Sequence, residues 1–547
     1  MKILIQLSRL YRTVKKLRFE QIYFRFIYEL KRAPRLKCAS VVPQVENWSW
    51  QGLQIMPASM NGPYTLRFLN VECAISTSKD WNSPLHEKLW LYNLHYFDDL
   101  NAENSADRYQ WHFDLVRRWI NENSPMHGNG WEPYTLSLRI VNWVKWYQRS
   151  GLSDSTIVSS IELQAQALSK QLEYHILGNH LFANGKALVF VGCFLSGDIG
   201  EKYRSVGLKI LEREVPEQFL EDGGHFELSP MYHCTLLWDM LDLLNLAKLT
   251  DDPCFGPYSE KWQSVVERGL QWLDAMTHPD GQISFFNDSA FGIAPEPKWI
   301  VTYAEELGLR VPRSDSPIQI LLATGYSKVV QRDHTLIFDH GAVGPDYLPA
   351  HAHADTLSLE WSVGIDRVFV NSGTSLYGVS AERHRQRQTA SHNTVVVDDE
   401  DSSEVWGGFR VARRAYAQLE KQTEENGRVA LVASHDGYRR LKGKVIHRRA
   451  LDVFERGLVV SDSLSGKFSK AEAHYHLHPA IRVIETNESR LLLETPSGQR
   501  LQLESGVPFR LEGSTWHPRF GESVQSQKLI IPFQSSSSIS IKVELLN

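Results

Sequence analysis

The sequence predicts two structural regions, a helical domain followed by an antiparallel β domain. Between about residues 85 and 310, apolar residues recur at the spacing of amphipathic helices. After about residue 320, this spacing gives way to short runs of β-branched and aromatic residues separated by turn residues. A chain of 547 residues is also too long for one ordinary core, so two or three domains are expected.

The helical region contains eight predicted helices joined by short breaks. Gly, Asn and Ser residues mark the breaks, and Ser229-Pro230 has the form of a helix N-cap followed by proline at the first helical position. The predicted helices span residues 107–122, 132–149, 155–176, 180–195, 203–214, 230–248, 261–277 and 298–307. Successive antiparallel helices of this kind indicate a toroid or a bundle.

The β region contains many short predicted strands, which is typical of an antiparallel sandwich. They span residues 328–330, 335–338, 357–363, 368–370, 394–397, 428–434, 457–462, 490–495, 526–532 and 538–545. The predicted domains are an extension at 1–84 that packs on the helical domain, the helical domain at 85–315 and the β domain at 316–547. A site built from both domains would lie in the groove between them.

Composition excludes some classes of partner. The chain has 59 Lys and Arg against 64 Asp and Glu, a net charge of -5, which gives no general attraction for nucleic acid or for an acidic membrane. The five cysteines show no Cys-x-x-Cys spacing, so neither a disulfide framework nor a thiolate zinc site is indicated. Any anionic ligand is therefore expected to be bound by local groups.

The first 32 residues lack the pattern of a classical signal peptide, and no apolar stretch in the chain is long enough for a transmembrane helix. The segment mixes Lys15, Lys16 and Arg18 with the aromatic residues Phe19 and Phe26. Two interpretations stay open. The segment forms a helix packed on its own domain, or it makes peripheral contact with a membrane surface.

Three histidines stand out in the β region. His351-Ala352-His353-Ala354-Asp355 precedes Ser391-His392-Asn393-Thr394 by about forty residues. In an extended strand, His351 and His353 would point to the same face and offer two bases or metal ligands. The alternative is a set of structural or surface histidines.

Four short motifs in the helical region place polar, titratable side chains at loops or helix starts. Helix N-termini carry free N–H groups and partial positive charge, so such residues suit a cleft for an anionic substrate. The motifs are Asn93-Leu94-His95-Tyr96, Gly130-Trp131-Glu132-Pro133-Tyr134, Gly178-Asn179-His180 and the segment from Asp222 to His233. The alternative is that Asn179 and Ser229 only cap helices and that Tyr232 belongs to the core.

Taken together and in this order, the motifs resemble those of the heparinase II/III-like polysaccharide lyases, which are related to alginate and chondroitin lyases. The resemblance rests on Gly178-Asn179-His180, Ser229-Pro230-Met231-Tyr232-His233, His351 to Asp355, Asn371-Ser372-Gly373-Thr374 and Ser391-His392-Asn393-Thr394. It implies an α+β multidomain fold in which an incomplete (α/α) toroid is followed by an antiparallel β-sandwich, with the substrate groove between them.

The resemblance also implies β-elimination at a uronic acid. Removing the C5 proton beside a carboxylate needs a neutral group that stabilises the developing charge, and Asn179 matches that position. Tyr232 and His180 match the acid and base, with His351 assisting from the opposite wall. As a base Tyr232 would need a lowered pKa, whereas as an acid it would need no shift.

His353, Asn371 and His392 match a metal site of the family, usually zinc held by two histidines and an aspartate. Asn371 departs from this pattern, and a neutral amide oxygen is a weaker zinc ligand than a carboxylate. One zinc ion is therefore an open expectation, and without it His353 and His392 are expected to organise strand ends by hydrogen bonding. No organic cofactor is expected.

Two arginine-rich segments, 383–388 and 410–414, predict pairing with carboxylates or sulfates, although a solvated charge run is the alternative. The residues expected to contact substrate are Asn93, His95, Tyr96, Trp131, Glu132, Tyr134, Arg139, Glu227, Arg383 and Arg387.

The predicted function is a lyase acting on an acidic, uronic-acid-containing polysaccharide, such as a surface or capsular polymer. One alternative is a glycoside hydrolase that uses Glu132 with Asp222 or Glu227. The other is a non-catalytic glycan-binding protein of polysaccharide assembly. The family suggests the cell envelope or periplasm, and the missing export signal makes the cytoplasm the alternative location.

Overall fold

The structure is a computed structural model that describes residues 2–30, 34–37, 43, 48–312, 314, 316–533 and 536–546. A helical region precedes a region of antiparallel sheets, so the predicted fold class is confirmed. Within the described residues, no helix has both the length and the apolar character needed to cross a membrane.

Helices dominate the first part of the chain. They are α1 (Lys2–Val14), α2 (Phe19–Leu30), α3 (Lys88–Tyr96), α4 (Tyr109–Glu122), α5 (Pro133–Ser150), α6 (Ser155–Ser169), α7 (Gly178–Phe194), α8 (Gly197–Gln218), α9 (Pro230–Thr250), α10 (Gly256–Ala275) and α11 (Pro297–Glu306). From α3 onward they share one large core that includes Trp119, Trp143, Leu188 and Leu237. This core makes the helical region a single body on which loops can be positioned.

Two helix starts in this body are fixed by local chemistry. At α9 the Ser229 hydroxyl accepts a hydrogen bond from the Tyr232 N–H at 3.2 Å and Pro230 occupies the first position, as predicted. At α7 the first residue, Gly178, has a φ of +58°, and a Cβ there would lie 2.4 Å from Leu348. The α7 and α9 starts therefore hold Asn179 and Tyr232 in place.

The remainder of the chain is mostly β structure. A small sheet comprises β1 (Met60–Gly62), β2 (Thr65–Phe68) and β3 (Val71–Ala74). The β region contains β4 (Ile318–Leu321), β5 (Tyr326–Gln331), β6 (His334–Asp339), β7 (Leu359–Val363), β8 (Asp366–Phe369), β9 (Val395–Val397), β10 (Val405–Trp406), β11 (Arg410–Val411), β12 (Ala417–Glu425), β13 (Arg428–His435), β14 (Ile446–Phe454), β15 (Gly457–Ser465), β16 (Ala471–His476), β17 (Arg482–Thr486), β18 (Arg490–Glu494), β19 (Arg500–Ser505), β20 (Arg510–Trp516), β21 (Val524–Pro532) and β22 (Ser538–Leu545), with the helix α12 (Ala381–Arg387) after β8.

The sheets pack around a second core. Their strand orders are β4-β5-β6-β7-β8, β20-β21-β16-β9 and β12-β13-β14-β15-β22-β19-β18-β17, and all pairings are antiparallel. Leu336 and Trp361 from the five-stranded sheet join Val460 and Leu503 from the eight-stranded sheet in this core. The strands of the β region that lay outside the predicted set are β4, β10, β11, β12, β14, β16, β17, β19 and β20. Of these, β12 and β20 are edge strands with mostly polar, exposed sequences.

The histidine motif at 351–355 is not a strand, so this prediction was wrong. The residues lie in the long loop between β6 and β7. The alternation of histidine and alanine does not reflect a β-strand, because the backbone groups of this loop form hydrogen bonds with neighbouring loops instead of an adjacent strand. The His353 N–H, for example, donates to Asn287 Oδ1 at 3.0 Å. This loop brings the β region onto the helical region at the groove.

Candidate active site

A buried carboxylate connects the two regions at the base of the groove. Asp288 lies between α10 and α11, and its side chain is fully buried. Its oxygens accept hydrogen bonds from His351 Nδ1 at 2.9 Å, from His353 Nε2 at 2.8 Å and from both terminal nitrogens of Arg383. We call these four residues the Asp288 cluster. Asp288 belongs to the helical region, whereas the three residues that bond to it belong to the β region.

The cluster fixes the charge and tautomer of its members. Burial alone would raise the pKa of Asp288, but Arg383, His351 and His353 hold it well below its usual value. The ionised carboxylate can only accept, so the hydrogen-bond pattern assigns the His351 proton to Nδ1. The Nε2 lone pair of His351 is consequently available on the groove side.

Tyr232 lies directly against His351. The two rings stack with centroids 3.9 Å apart and an angle of 30° between their planes. The Tyr232 hydroxyl lies 3.1 Å from the hydroxyl of Tyr377, a residue that follows β8. Burial, followed by the neighbouring Tyr377 and Tyr134, raises the pKa of Tyr232 well above its usual value. The structure therefore favours a protonated phenol, which can act as an acid.

Glu227 is a second carboxyl group at the centre of the site. It is buried, and no side chain among the described residues donates a hydrogen bond to it, although the backbone N–H of Asn179 is near enough to lower its pKa. His351 Nε2 lies 3.5 Å from its Oε2. Burial raises the pKa of Glu227, and the nearby His351 and His180 reduce this effect. A group of this kind is suited to carry a proton when an anionic ligand arrives.

The start of α7 supplies the opposite wall. Asn179 is nearly buried, and the neighbouring His180 donates from Nδ1 to Glu173 Oε1 at 2.9 Å and stacks on Tyr134 with centroids 4.3 Å apart. Burial would lower the pKa of His180, but Glu173 and two further glutamates outweigh it, so the pKa is raised. His180 is thus held in one orientation with Nε2 available.

A cavity of about 680 Å³ opens beside these groups. Four of the predicted site residues line it, namely Asn93, Tyr96, Tyr134 and Tyr232. Its helical wall also contains a buried ion-pair network in which Lys145 and Lys186 both lie 2.5 Å from Asp242. These lysines are already neutralised, so they leave little positive charge for an acidic ligand.

Three predicted substrate contacts in the helical region require correction. His95, Trp131 and Arg139 are buried behind the wall and bonded internally. His95 accepts from Trp119 Nε1 at 3.0 Å, and Arg139 donates to Gln164, to the carbonyl of Gly130 and to the carbonyl of His95. They support the wall and are not positioned to contact a substrate. Glu132 is half-buried and pairs with Lys88 at 2.9 Å.

The substrate contacts predicted for Arg383 and Arg387 are also corrected. Arg383 is fully buried and committed to Asp288. Arg387 is equally buried and donates to the carbonyl oxygens of Ala352, Gly407 and Gly408. Two of the three arginines of this segment are therefore internal, whereas Arg385 is partly exposed and pairs with Glu382. Arginines that do line the cavity are Arg67, Arg149 and Arg519, which lie outside the predicted set.

The three predicted metal ligands are neighbours, but they do not fit one ion in this arrangement. His353 Nδ1 is 3.3 Å from His392 Nε2, whereas His392 Nδ1 is 3.3 Å from Asn371 Oδ1. Since His392 turns a different nitrogen toward each neighbour, the donor atoms do not converge on one point. No group of three His, Cys, Asp or Glu side chains able to hold a metal occurs in the described part of the chain. The expected zinc ion stays a prediction, and the chemistry proposed below does not use it.

The buried His95 leads to a prediction about pH. Burial lowers the pKa of His95 to about 3, far below the value of an unfolded histidine. As pH falls below about 6.5, the unfolded chain binds a proton that the folded chain does not, so stability is lost at roughly 1.4 kcal/mol per pH unit. We expect His95→Gln, which can still bond Trp119 and Trp81, to show a smaller loss of stability between pH 6.5 and 4. Urea unfolding at several pH values measures this, and parallel pH curves for variant and wild type would contradict it.

The carboxylate pair required by the hydrolase alternative is not assembled. Asp222 accepts hydrogen bonds from the Thr324 N–H at 2.8 Å and from its hydroxyl at 2.9 Å, which commits Asp222 to joining the two regions. Glu132 is paired with Lys88 and Tyr92. Of the three carboxylates considered, Glu227 alone is at the centre of the site.

Comparison with known families agrees with this geometry. The model described as "Heparinase II/III N-terminus" matches residues 76–297, and the model described as "Heparinase II/III-like, C-terminal" matches residues 314–544. The chain belongs to the heparinase II/III family. It therefore has the toroid and β-sandwich of a family of polysaccharide lyases, and the predicted resemblance is confirmed.

Individual relatives are distant. FtsZ-localized protein C of Caulobacter vibrioides is 27% identical over 332 residues, covering 56% of this chain and 54% of that protein. The heparin-sulfate lyase of Bacteroides stercoris is 21% identical over 368 residues, covering 62% of this chain and 52% of that protein. The crystal structure of heparinase III has a TM-score of 0.66 at 17% identity, covering 96% of this chain and 89% of that chain. The matches span about half the length of the first two relatives, and the last supports the fold alone.

Proposed function

We propose that this family member cleaves an acidic, uronic-acid-containing polysaccharide by β-elimination in the groove between toroid and sandwich. The observation that carries the proposal is the pairing of a protonated phenol, Tyr232, with an imidazole, His351, that is oriented by an ionised Asp288. An acid and an oriented base side by side are what proton removal and leaving-group protonation require.

The roles follow from the state of each group. The substrate carboxylate binds to the Asn179 amide, which stabilises the charge that develops when the C5 proton leaves, and Glu227, whose pKa is raised by burial, lies beside it. His351, whose Nδ1 proton is held by Asp288, takes that proton at Nε2, and His180 faces the substrate from the opposite wall. Tyr232 donates its proton to the glycosidic oxygen as the C4–O bond breaks. The products are an unsaturated uronate and a new sugar hydroxyl.

Recognition of further anionic groups is assigned to the arginines at the cavity rim. Arg67 is exposed and has no acidic partner within the described chain, and Arg519 has a single, exposed one, Glu522, at 3.3 Å. Such guanidinium groups can bind carboxylates or sulfates bidentately. A surface or capsular polymer is the kind of substrate this arrangement suits.

The test is to incubate the purified full chain with sulfated and unsulfated acidic polysaccharides and record ultraviolet absorbance together with reducing ends. Elimination raises both signals, because the unsaturated uronate absorbs. A rise in reducing ends alone would replace the proposal with hydrolysis. Saturable glycan binding with neither signal would replace it with the non-catalytic role in polysaccharide assembly.

A further inference from the structure

The two N-terminal helices expose apolar side chains that a water-facing surface does not normally carry. On α1, Leu4, Leu7, Tyr11 and Val14 recur at the spacing of one helix face, and Leu4 and Tyr11 are 71% and 66% exposed. On α2, Phe19, Ile22, Phe26 and Leu30 form a second exposed stripe, with Phe19 at 80% and Phe26 at 63%. We call the two stripes the N-terminal apolar surface.

The side of α1 that faces the protein is polar. Thr13 accepts a hydrogen bond from Trp406 Nε1 at 3.2 Å and donates to the carbonyl of Arg9, and Arg9 lies 3.9 Å from Glu404. Just after the helix, Lys16 pairs with Asp346 at 2.6 Å. A helix that packs on its own domain normally turns its apolar face inward. Here that arrangement is inverted, so internal packing does not explain the apolar stripe of α1.

The α2 helix is held by a different face. The Gln21 side chain is buried, Phe24 stacks on Tyr174 with centroids 4.9 Å apart, and Tyr28 stacks on His175 at 4.4 Å. These contacts fix the helix to the toroid and leave the stripe of Phe19 and Phe26 on the outside. The N-terminal apolar surface is thus a surface of the folded protein.

The charge of the N-terminal segment is predominantly positive. Residues 2–30 contain seven Lys and Arg but two Glu, in a chain whose net charge is -5. Arg12, Lys15 and Arg25 are exposed and have no acidic partner among the described residues. A second copy of the chain would bring two positive surfaces together, whereas an anionic lipid surface would be attracted to them.

We propose that the N-terminal apolar surface docks this protein on an anionic membrane, with α1 and α2 lying in the plane of the interface. The helices have 13 and 12 residues, too short to cross a bilayer, but their aromatic and aliphatic stripes flanked by basic residues suit the headgroup region. Lys16 bonds to Asp346 and Arg18 lies over the ring of Tyr347, a few residues before His351. Docking therefore holds the groove near the membrane surface.

The test is flotation of the full chain with phosphatidylcholine vesicles that contain or lack phosphatidylglycerol, without any polysaccharide. We expect binding to the anionic vesicles that weakens with salt. Phe19→Ser with Phe26→Ser, and separately Arg12→Glu with Lys15→Glu, should each lower the partition coefficient at least about tenfold. The control is Leu322→Ser with Ile365→Ser, which removes exposed apolar side chains in turns of the β region and should leave binding unchanged.

Unchanged thermal midpoints would show that the variants are folded. The proposal is overturned if the wild type ignores anionic vesicles, or if the control pair loses binding as much as the helix variants. It is also overturned if light scattering shows a dimer that Phe19→Ser with Phe26→Ser dissociates while no vesicles bind. Because no substrate is present, these outcomes are independent of lyase activity.

Discussion

Replacing Tyr232 with phenylalanine should reduce turnover of a cleaved polysaccharide by about 10²- to 10⁴-fold, the usual contribution of a general acid. The variant loses the hydroxyl that would protonate the leaving oxygen but keeps the ring that stacks on His351. Ultraviolet detection of the unsaturated uronate measures the rate. Calorimetric titration should show nearly unchanged substrate affinity, since the carboxylate is bound elsewhere.

Tyr377→Phe is the matched control for this variant. It removes the other hydroxyl of the 3.1 Å pair and should have a smaller effect, because Tyr377 positions Tyr232 without donating to the substrate. Equal losses of turnover in the two variants would indicate that the acid is not Tyr232 alone. Full activity in Tyr232→Phe would remove it from the chemistry.

Asp288→Asn should be the most destabilising single substitution in the site. Asn presents one acceptor oxygen to Arg383, His351 and His353, and it leaves the fully buried guanidinium of Arg383 without a counter-charge. Breaking a buried ion pair from one side typically costs about 3–5 kcal/mol. We expect a loss of this size in denaturant unfolding, together with lower turnover because His351 loses its orienting carboxylate.

Two further variants test whether the isolated buried charge causes the loss of stability. Asp288→Asn with Arg383→Met removes both charges and should recover part of the lost stability, because no isolated cation remains. Asp452→Asn breaks the exposed pair with Arg428 and should cost far less stability than Asp288→Asn, because water already solvates both charges. If the double variant were no more stable than Asp288→Asn, the uncompensated charge would not be the reason for the loss.

The fold was largely predictable because helical and β spacings are local properties of the sequence. The α9 start at Ser229-Pro230 is an example, since cap and proline act within one turn. Two of the strands that escaped prediction, β12 and β20, are edge strands, which have no need of an apolar pattern. In the described chain, each pairs only with the strand that follows it, and that strand carries the apolar pattern.

The site was only partly predictable for a related reason. Tyr134, Glu227, Tyr232 and His351 carry signals in their own motifs, and the structure brings them together. Asp288 and Tyr377 stand in segments without a marked motif, and their importance comes from what reaches them in the fold. Conversely, the arginine-rich sequence at 383–388 is compatible with two structures. It fits a solvated run of charges as well as guanidinium groups that are buried against a carboxylate and backbone carbonyls.

The Asp288 cluster also bears on how such a chain can evolve. Its anion belongs to the helical half, whereas its cation and both imidazoles belong to the β half. The two halves are therefore not interchangeable modules, and a smaller apolar cluster that joins Trp272 to Tyr326 and Ile337 also crosses between them. A recombinant that took one half from a relative lacking the matching charge would inherit an isolated buried ion. An exchange between family members is expected to give a stable protein only when the buried carboxylate and its arginine partner are both present in the product.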